Sequence, residues 1–289
     1  MVDLHCHSDF SDGTDSPERL AALAREAGLS AAVLTDHDTM AGSARFAAAA
    51  AAEGVRTIPG MEISADVPGR TVHLLAYGCD AAEPRLAEAL AKVRDGRRAR
   101  NAEILARLAR LGVPVSAEEV AAEAGEGGIV ARPHIAAALV HKGFAQDVRD
   151  AFERFLARGR PAYAERFRLA PEEALRLAAD AGGVVSLAHP HLLRMERDEL
   201  RAFVARLAGL GLVGVECLYT GYQKPQIDEY VGLARTFGLL VTGGSDYHGA
   251  NKPAIRLGVA YGGLKVPDEA FDALAAAVDA ARAKRPLPS

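Results

Sequence analysis

Four short segments hold most of the metal-capable chemistry of the chain. Asp3-Leu4-His5-Cys6-His7, Thr35-Asp36-His37-Asp38, Leu187-Ala188-His189-Pro190 and Gly244-Ser245-Asp246-Tyr247-His248 contain five of the nine histidines. Each follows an apolar run directly or within a few residues. Histidine and carboxylate side chains converging from several strand ends are what a cluster of divalent cations needs, because cations take nitrogen and oxygen ligands in fixed directions. In His5-Cys6-His7 the alternation of a strand puts both imidazoles on one face and Cys6 on the other. Two ligands from one strand end can then bind one cation. Asp246-Tyr247-His248 repeats that spacing, and Asp12, in Ser11-Asp12-Gly13, offers a carboxylate from the loop after the first strand.

Other residues complete the pattern. His37 is a candidate ligand, and Asp36 or Asp38 could orient it through its other ring nitrogen. Either aspartate could instead cap a helix. Glu62 stands inside an apolar strand, where an unpaired carboxylate is costly. It therefore points either to a bridging role between cations or to a salt bridge with Arg56 or another arginine. His73, alone in Thr71-Val72-His73-Leu74-Leu75, gains its weight only from this company.

The elements that must position these groups are short apolar runs alternating with alanine-rich helical patterns, the signature of strand–helix–strand units around a parallel sheet. Strands are predicted at 1–7, 31–35, 56–63, 71–77, 183–188, 212–218 and 239–243. Helices are predicted at 16–27, 42–52, 171–181, 198–210 and 224–237. Ser16-Pro17-Glu18 is a helix start, with a capping serine and proline in the first turn. A last helix is predicted over 267–284, ended by Pro286 and Pro288. From about 83 to 158 no strand pattern occurs, only helical patterns broken at Gly112, Gly125–Gly128 and Gly143. The fold expected is α/β: a distorted seven-stranded (β/α)7 barrel over 1–90 and 159–289, with a small all-helical insertion domain over 91–158 covering the active site. Active sites of such barrels lie at the C-terminal ends of the strands, where the four segments fall.

The bulk properties narrow the function. The chain has 289 residues, 49% apolar and 25% charged, enough for a large core and a solvated surface. A net charge of −4 argues against a general nucleic-acid coat. Cys6, Cys79 and Cys217 are odd in number and lie in strand-like runs, which fits reduced core residues. No leader-like region precedes Asp3 and no apolar run is long enough to span a bilayer. A soluble cytoplasmic protein with no membrane partner is expected.

Taken together, Asp3-Leu4-His5-Cys6-His7-Ser8, Thr35-Asp36-His37-Asp38, Gly60-Met61-Glu62, Ala188-His189-Pro190 and Gly244-Ser245-Asp246-Tyr247-His248 resemble the motifs of the PHP (polymerase and histidinol phosphatase) superfamily. The resemblance runs from Asp3 to about Asn251, and motifs of this kind in this order are highly specific. Within that superfamily the chain looks most like the stand-alone bacterial nucleotide phosphoesterases with a helical insertion. The resemblance implies two or three divalent ions, manganese first, with zinc or iron as options. It implies one site at His5, His7, Glu62 and Asp246. A second would share Glu62 and add His73 and His189, with His134 as a competitor of His73. A third would use Asp12, His37 and His248. It also implies that a hydroxide activated by the ions attacks phosphorus. Catalytic candidates are Asp38, Asp246 and His248, and the leaving oxygen would be protonated by a metal-bound water or by an acid such as Asp38.

The insertion offers specificity. Arg94, Arg97 and Arg98 lie at helical spacing with Arg100 close by, and Arg132-Pro133-His134 follows the glycine-rich break. Substrate contacts are expected from Arg97, Arg98, Arg132 and His134, since a guanidinium fork meets two phosphate oxygens at once. Lys252, just beyond His248, is a further candidate. Glu216 lies near the site without a role, and His141 and His191 read as surface residues. The substrate expected is a small nucleotide (a 5′-monophosphate, a 3′,5′-bisphosphate or the 5′ end of a short single-stranded RNA), with no stable DNA complex. Histidinol-phosphate phosphatase is the alternative enzyme, and a non-catalytic metal-binding module is the remoter one. The sequence leaves the oligomeric state open.

Overall fold

A computed structural model describes residues 1–124, 130–259, 263 and 265–284. The glycine-rich break at 125–128 and the two terminal prolines lie outside the described residues. Seven strands occur among those described: β1 Val2–Cys6, β2 Ala31–Leu34, β3 Gly60–Val67, β4 Arg70–Tyr77, β5 Val184–Leu187, β6 Leu212–Tyr219 and β7 Leu240–Gly244. The helices that pack against them are α1 Pro17–Glu26, α2 Ser43–Ala52, α3 Pro84–Arg110, α7 Pro171–Asp180, α8 Arg197–Gly209, α9 Lys224–Thr236 and α10 Asp268–Lys284. Between α3 and α7 lie α4 Ala117–Ala124, α5 Arg132–His141, α6 Val148–Ala151 and a π-helical turn, Phe152–Leu156. Ser16 caps α1 as its sequence predicts, accepting the Arg19 amide.

The strands form a mixed α/β architecture rather than one continuous ladder. β1 and β2 make a two-stranded sheet, and β3 to β7 make a five-stranded sheet in sequence order. The parallel pairing expected from the alternation holds for β1–β2 and β5–β6–β7. It fails at β3–β4 and β4–β5, which are antiparallel. The reason is local: only Pro68 and Gly69 separate β3 from β4, and a two-residue connection permits a hairpin but no parallel crossover. β4 therefore runs backwards relative to the parallel strands, and His73 reaches the site from the first half of its strand.

The two sheets meet at two seams that are hydrogen-bonded beside the site. On one side the Asp246 amide donates to the His5 carbonyl and the His7 amide to the Tyr247 carbonyl. On the other, the Glu62 amide donates to the Asp36 carbonyl and the Asp38 amide to the Glu62 carbonyl. Gly244 and Gly60 sit on these seams because a Cβ there would collide with His5 in the first case and with Val33 and the Leu34 carbonyl in the second.

Burial divides along the same lines. One cluster, with Met61, Leu74, Leu187 and Val215, packs the five-stranded sheet against α3, α7 and α8. A second, with Leu20, Val55 and Phe46, covers β1 and β2 with α1 and α2. The helical segment has its own core of Ile104, Leu108, Val120, Ile135 and Leu139. α3, 27 residues long and hence roughly 40 Å, serves both: Leu86 and Val93 join the sheet cluster, Ile104 and Leu108 the helical one. The expected boundary at residue 91 thus falls inside one unbroken helix.

Candidate active site

The site is built where the strand ends of both sheets meet. Glu62 occupies its middle, almost wholly buried. Its Oε1 lies 2.9 Å from His73 Nδ1 and 3.0 Å from His189 Nε2. Its Oε2 lies 3.0 Å from His37 Nδ1, 3.2 Å from His7 Nε2 and 3.4 Å from His5 Nε2. Five imidazoles on one carboxylate, with Arg56 paired to Asp272 on the surface, remove the simple salt-bridge reading of Glu62. The Asp246 Oδ1 stands 3.5 Å from His5 Nε2, 3.4 Å from His7 Nε2 and 3.4 Å from His248 Nδ1. Asp12 reaches His248 Nε2 at 3.2 Å and His37 Nε2 at 3.6 Å.

These contacts sort into four overlapping groups whose ligand atoms all lie within 4.8 Å of one another: His7, Asp12, His37 and His248; His5, Glu62 and His189; His5, His7 and Asp246; His37, Glu62 and His73. All nine residues of the expected ligand set are among them. His134 is in none, so the geometry favours His73 over its competitor. Cys6 points the other way, into the apolar cluster, and donates to the Val33 carbonyl.

The donor set fits cations better than it fits itself. His5 Nε2 and His7 Nε2 face each other at 3.1 Å. His37 Nδ1, although 3.0 Å from Glu62 Oε2, has no hydrogen-bond partner, and neither has Asp12 Oδ1. Such spacings fit side chains that could share an ion: two ligands each about 2.1 Å from a metal lie about 3 to 3.5 Å apart. Two histidines have their tautomer set from behind, His248 by donating from Nδ1 to the Asp246 carbonyl at 2.8 Å and His5 through Nδ1 at 2.9 Å from Glu216 Oε1. Asp246 is held by Tyr219 and Lys252, both 2.6 Å from its Oδ2, which leaves Oδ1 toward the histidines. Burial pushes His37 down to about 3, so this imidazole is neutral and its lone pair free for a cation.

Backbone strain is concentrated here. Of the four non-glycine residues with positive φ among the described residues, three are Asp38 (56°), His189 (24°) and Asp246 (55°). Such conformations cost about 1–3 kcal/mol each and persist where surrounding contacts demand them.

The two aspartates beside His37 do neither of the jobs expected of them. Asp36 accepts from the Ser8 amide (2.8 Å), the Ser8 hydroxyl (2.6 Å) and the Ser11 hydroxyl (2.6 Å), shaping the loop that carries Asp12. Asp38 is ion-paired with Arg97 at 2.5 Å and Arg166 at 3.4 Å, and its Oδ1 accepts the Ser64 amide. Burial would raise its pKa, but Arg97 and Arg166 hold it at about 2. A carboxylate so placed anchors the arginines and Ser64, a different arrangement from the free acid expected of Asp38.

Arginines crowd one wall. A cavity of about 190 Å3 is lined by Asp12, His37 and His73 on one side and by Arg97, Arg100, Arg132, Arg166 and Arg168 on the other. Arg97, Arg100 and Ile104 share the inward face of α3. Arg98 does not: it is 81% exposed and pairs with Asp95 on the outer face, so its expected substrate contact is withdrawn. Arg97 Nε, Arg100 Nη2, Arg166 Nε and Arg168 Nε are buried without a hydrogen-bond partner. Burial, reinforced by the neighbouring guanidiniums, pushes Arg100 down to about 8 and Arg166 to about 9, a measure of uncompensated positive charge that an anion would relieve. His134, 1% exposed, accepts the Ala131 amide through Nδ1, so its proton sits on Nε2. Lys252 is spent on Asp246 rather than extended into the cavity.

Arg166 and Arg168 were not foreseen, because the loop 157–170 carries no periodicity from which a side chain's direction can be read. Their clue was charge density alone, four arginines within residues 158–168. His191, expected at the surface, is half-buried and hydrogen-bonded to Tyr222 at 2.9 Å.

The model of the PHP domain family matches residues 3–208. The chain belongs to the PHP domain family. Among curated relatives, it is 31% identical over 247 residues to a 3′,5′-nucleoside bisphosphate phosphatase of Chromobacterium violaceum, covering 86% of this chain and 87% of the relative. It is 32% identical to the 5′-3′ exoribonuclease Rnm of Escherichia coli, over 86% of this chain and 85% of that one. A solved metal-dependent phosphoesterase from Bifidobacterium adolescentis superposes with a TM-score of 0.84 at 32% identity, over 96% of each chain. This PHP protein is a metal-dependent hydrolase of phosphoester bonds. No helix among the described residues is long and apolar enough to cross a membrane.

Proposed function

We propose that this PHP protein hydrolyses small nucleotide phosphates at a centre of up to three divalent cations. The observation that carries the reading is the contact between the Glu62-centred ligand cluster and the arginine-lined cavity, which share Asp12, His37 and His73. His5, His7, Glu62 and Asp246 would hold one ion; Glu62, His73 and His189 a second; Asp12, His37 and His248 a third, with His7 alongside. Manganese leads, and zinc or iron suits the same donors. Cations bound there would make water acidic enough to attack near neutral pH and would offset phosphoryl charge.

The protein's own groups supply the rest. Arg97, Arg100, Arg132, Arg166 and Arg168, with the Nε2–H of His134, present donors to phosphate oxygens. Asp38 keeps Arg97 and Arg166 in place without neutralising the whole cluster. The cavity suits a phosphate group rather than a duplex, which supports a nucleotide or the end of a short single strand as substrate. The relatives named for nucleoside bisphosphates and for RNA 5′ ends support the same class. The helical segment α3–α6 then acts as a cover that brings arginines to strand ends that lie, by this reading, around a distorted seven-stranded barrel. Three buried free cysteines accord with a cytoplasmic setting.

The test is phosphate release with manganese from AMP, adenosine 3′,5′-bisphosphate, a 5′-phosphorylated RNA trinucleotide and histidinol phosphate. The reading expects turnover of at least one nucleotide member, abolished by chelation. Selective turnover of histidinol phosphate, or silence across the panel, contradicts it.

A further inference from the structure

Glu216, on β6, is fully buried and belongs to none of the ligand groups. Both of its oxygens are nevertheless engaged with residues that do. Oε1 lies 2.9 Å from His5 Nδ1, and Oε2 accepts the backbone amide of His189 at 2.6 Å. One carboxylate thus joins β1 to the segment after β5, and each bond has a separate consequence.

The first concerns a proton. A carboxylate facing Nδ1 keeps the imidazole proton there and leaves the Nε2 lone pair directed at His7, Glu62 and Asp246. The second concerns the backbone. His189 has φ 24° and ψ 65°, a conformation that side-chain-bearing residues rarely adopt. Held in it, the residue turns its Nε2 to within 3.0 Å of Glu62 Oε1.

We propose that Glu216 is a positioning residue of the metal centre, setting the tautomer of His5 and the turn of His189 through its two oxygens at once. The proposal rests on the cation-binding reading given above. Glutamine cannot replace it. An amide has one accepting oxygen, so its NH2 would face either His5 Nδ1, driving the imidazole proton onto Nε2 and into the ligand cluster, or the His189 amide, donor against donor. Aspartate is one methylene shorter and cannot span both partners without moving a strand.

The test combines zinc titration by calorimetry of wild type, E216Q and E216D with nitrogen-detected imidazole NMR of the zinc-loaded wild type, His5 being assigned through H5Q. Wild type is expected to bind zinc with His5 Nδ1 protonated and Nε2 on the metal. E216Q and E216D are expected to lose about 10- to 100-fold in affinity for at least one ion, the usual cost of removing such a partner, while keeping the wild-type circular dichroism. Unchanged affinity and stoichiometry in E216Q would overturn the proposal. So would His5 bound through Nδ1 in the wild type, a result that stands even if the variants fail to fold. A wild type that takes up no zinc overturns the centre itself, and the proposal with it.

Discussion

At the level of single residues, Asp38 shows how neighbours decide a carboxylate's role. Next to a candidate ligand it reads as an orienting group or an acid, but Arg97, Arg166 and Ser64 claim both of its oxygens. Removing one partner of a buried pair costs about 3–5 kcal/mol. Asp38→Asn should therefore lower the unfolding free energy by about 3 kcal/mol in a urea titration at neutral pH, with metal content unchanged. The sign of its pH dependence follows from a folded pKa near 2 against a usual carboxylate value near 4. Its contribution is complete above about pH 4 and is lost as pH falls through about 2, so the wild-type and variant stabilities should converge in acid. A difference that persists at pH 2 would refute the ion-pair account. The residues that gather around Glu62 were legible as candidate ligands in the sequence, because histidine and carboxylate at strand ends have few other uses. Glu216 was visible but mute: its partners lie 211 and 27 residues away, and nothing local announces them.

Secondary-structure elements were readable where periodicity and length agree. α1, α7, α8 and α9 fall within a residue of their expected bounds, since amphipathic spacing fixes them and a proline starts all but α8. The direction of β4 was not readable from alternation, which is the same in parallel and antiparallel strands; the Pro68-Gly69 turn held that information. α3 carries the sharper lesson. Spacing alone groups Arg94, Arg97 and Arg98, but the buried face of this helix runs through Val93, Arg97, Arg100 and Ile104. That assignment is testable. Hydrogen bonds to charged groups contribute about 1.5–3 kcal/mol, so Arg100→Ala and Arg132→Ala should each lower kcat/KM for a nucleotide substrate about 10- to 100-fold at unchanged metal content. Arg98→Ala should leave kcat/KM within about twofold. Equal losses at Arg98 and Arg100 would mean that the outer face of α3 binds substrate.

For the whole molecule, the proposed metal centre would be a structural junction as well as a catalytic one. Its candidate ligands come from β1, β3, β4 and the segments after β1, β2, β5 and β7, and two seams between the sheets are hydrogen-bonded beside it. Binding energy at such a place adds to folding stability, and the overall α/β class was evident in the sequence because the same segments end the strands and bear the ligands. How the strands divide into sheets of two and five was not evident, since it depends on close approaches at Gly60 and Gly244 that no pattern encodes. The central claim is that Glu62 gathers the cations. It is tested most directly by counting metal, by mass spectrometry, in wild type and Glu62→Gln purified side by side with excess manganese. The account predicts two to three ions per wild-type chain and at least one fewer in the variant; no stoichiometric metal in the wild type, or an undiminished count in Glu62→Gln, would contradict it.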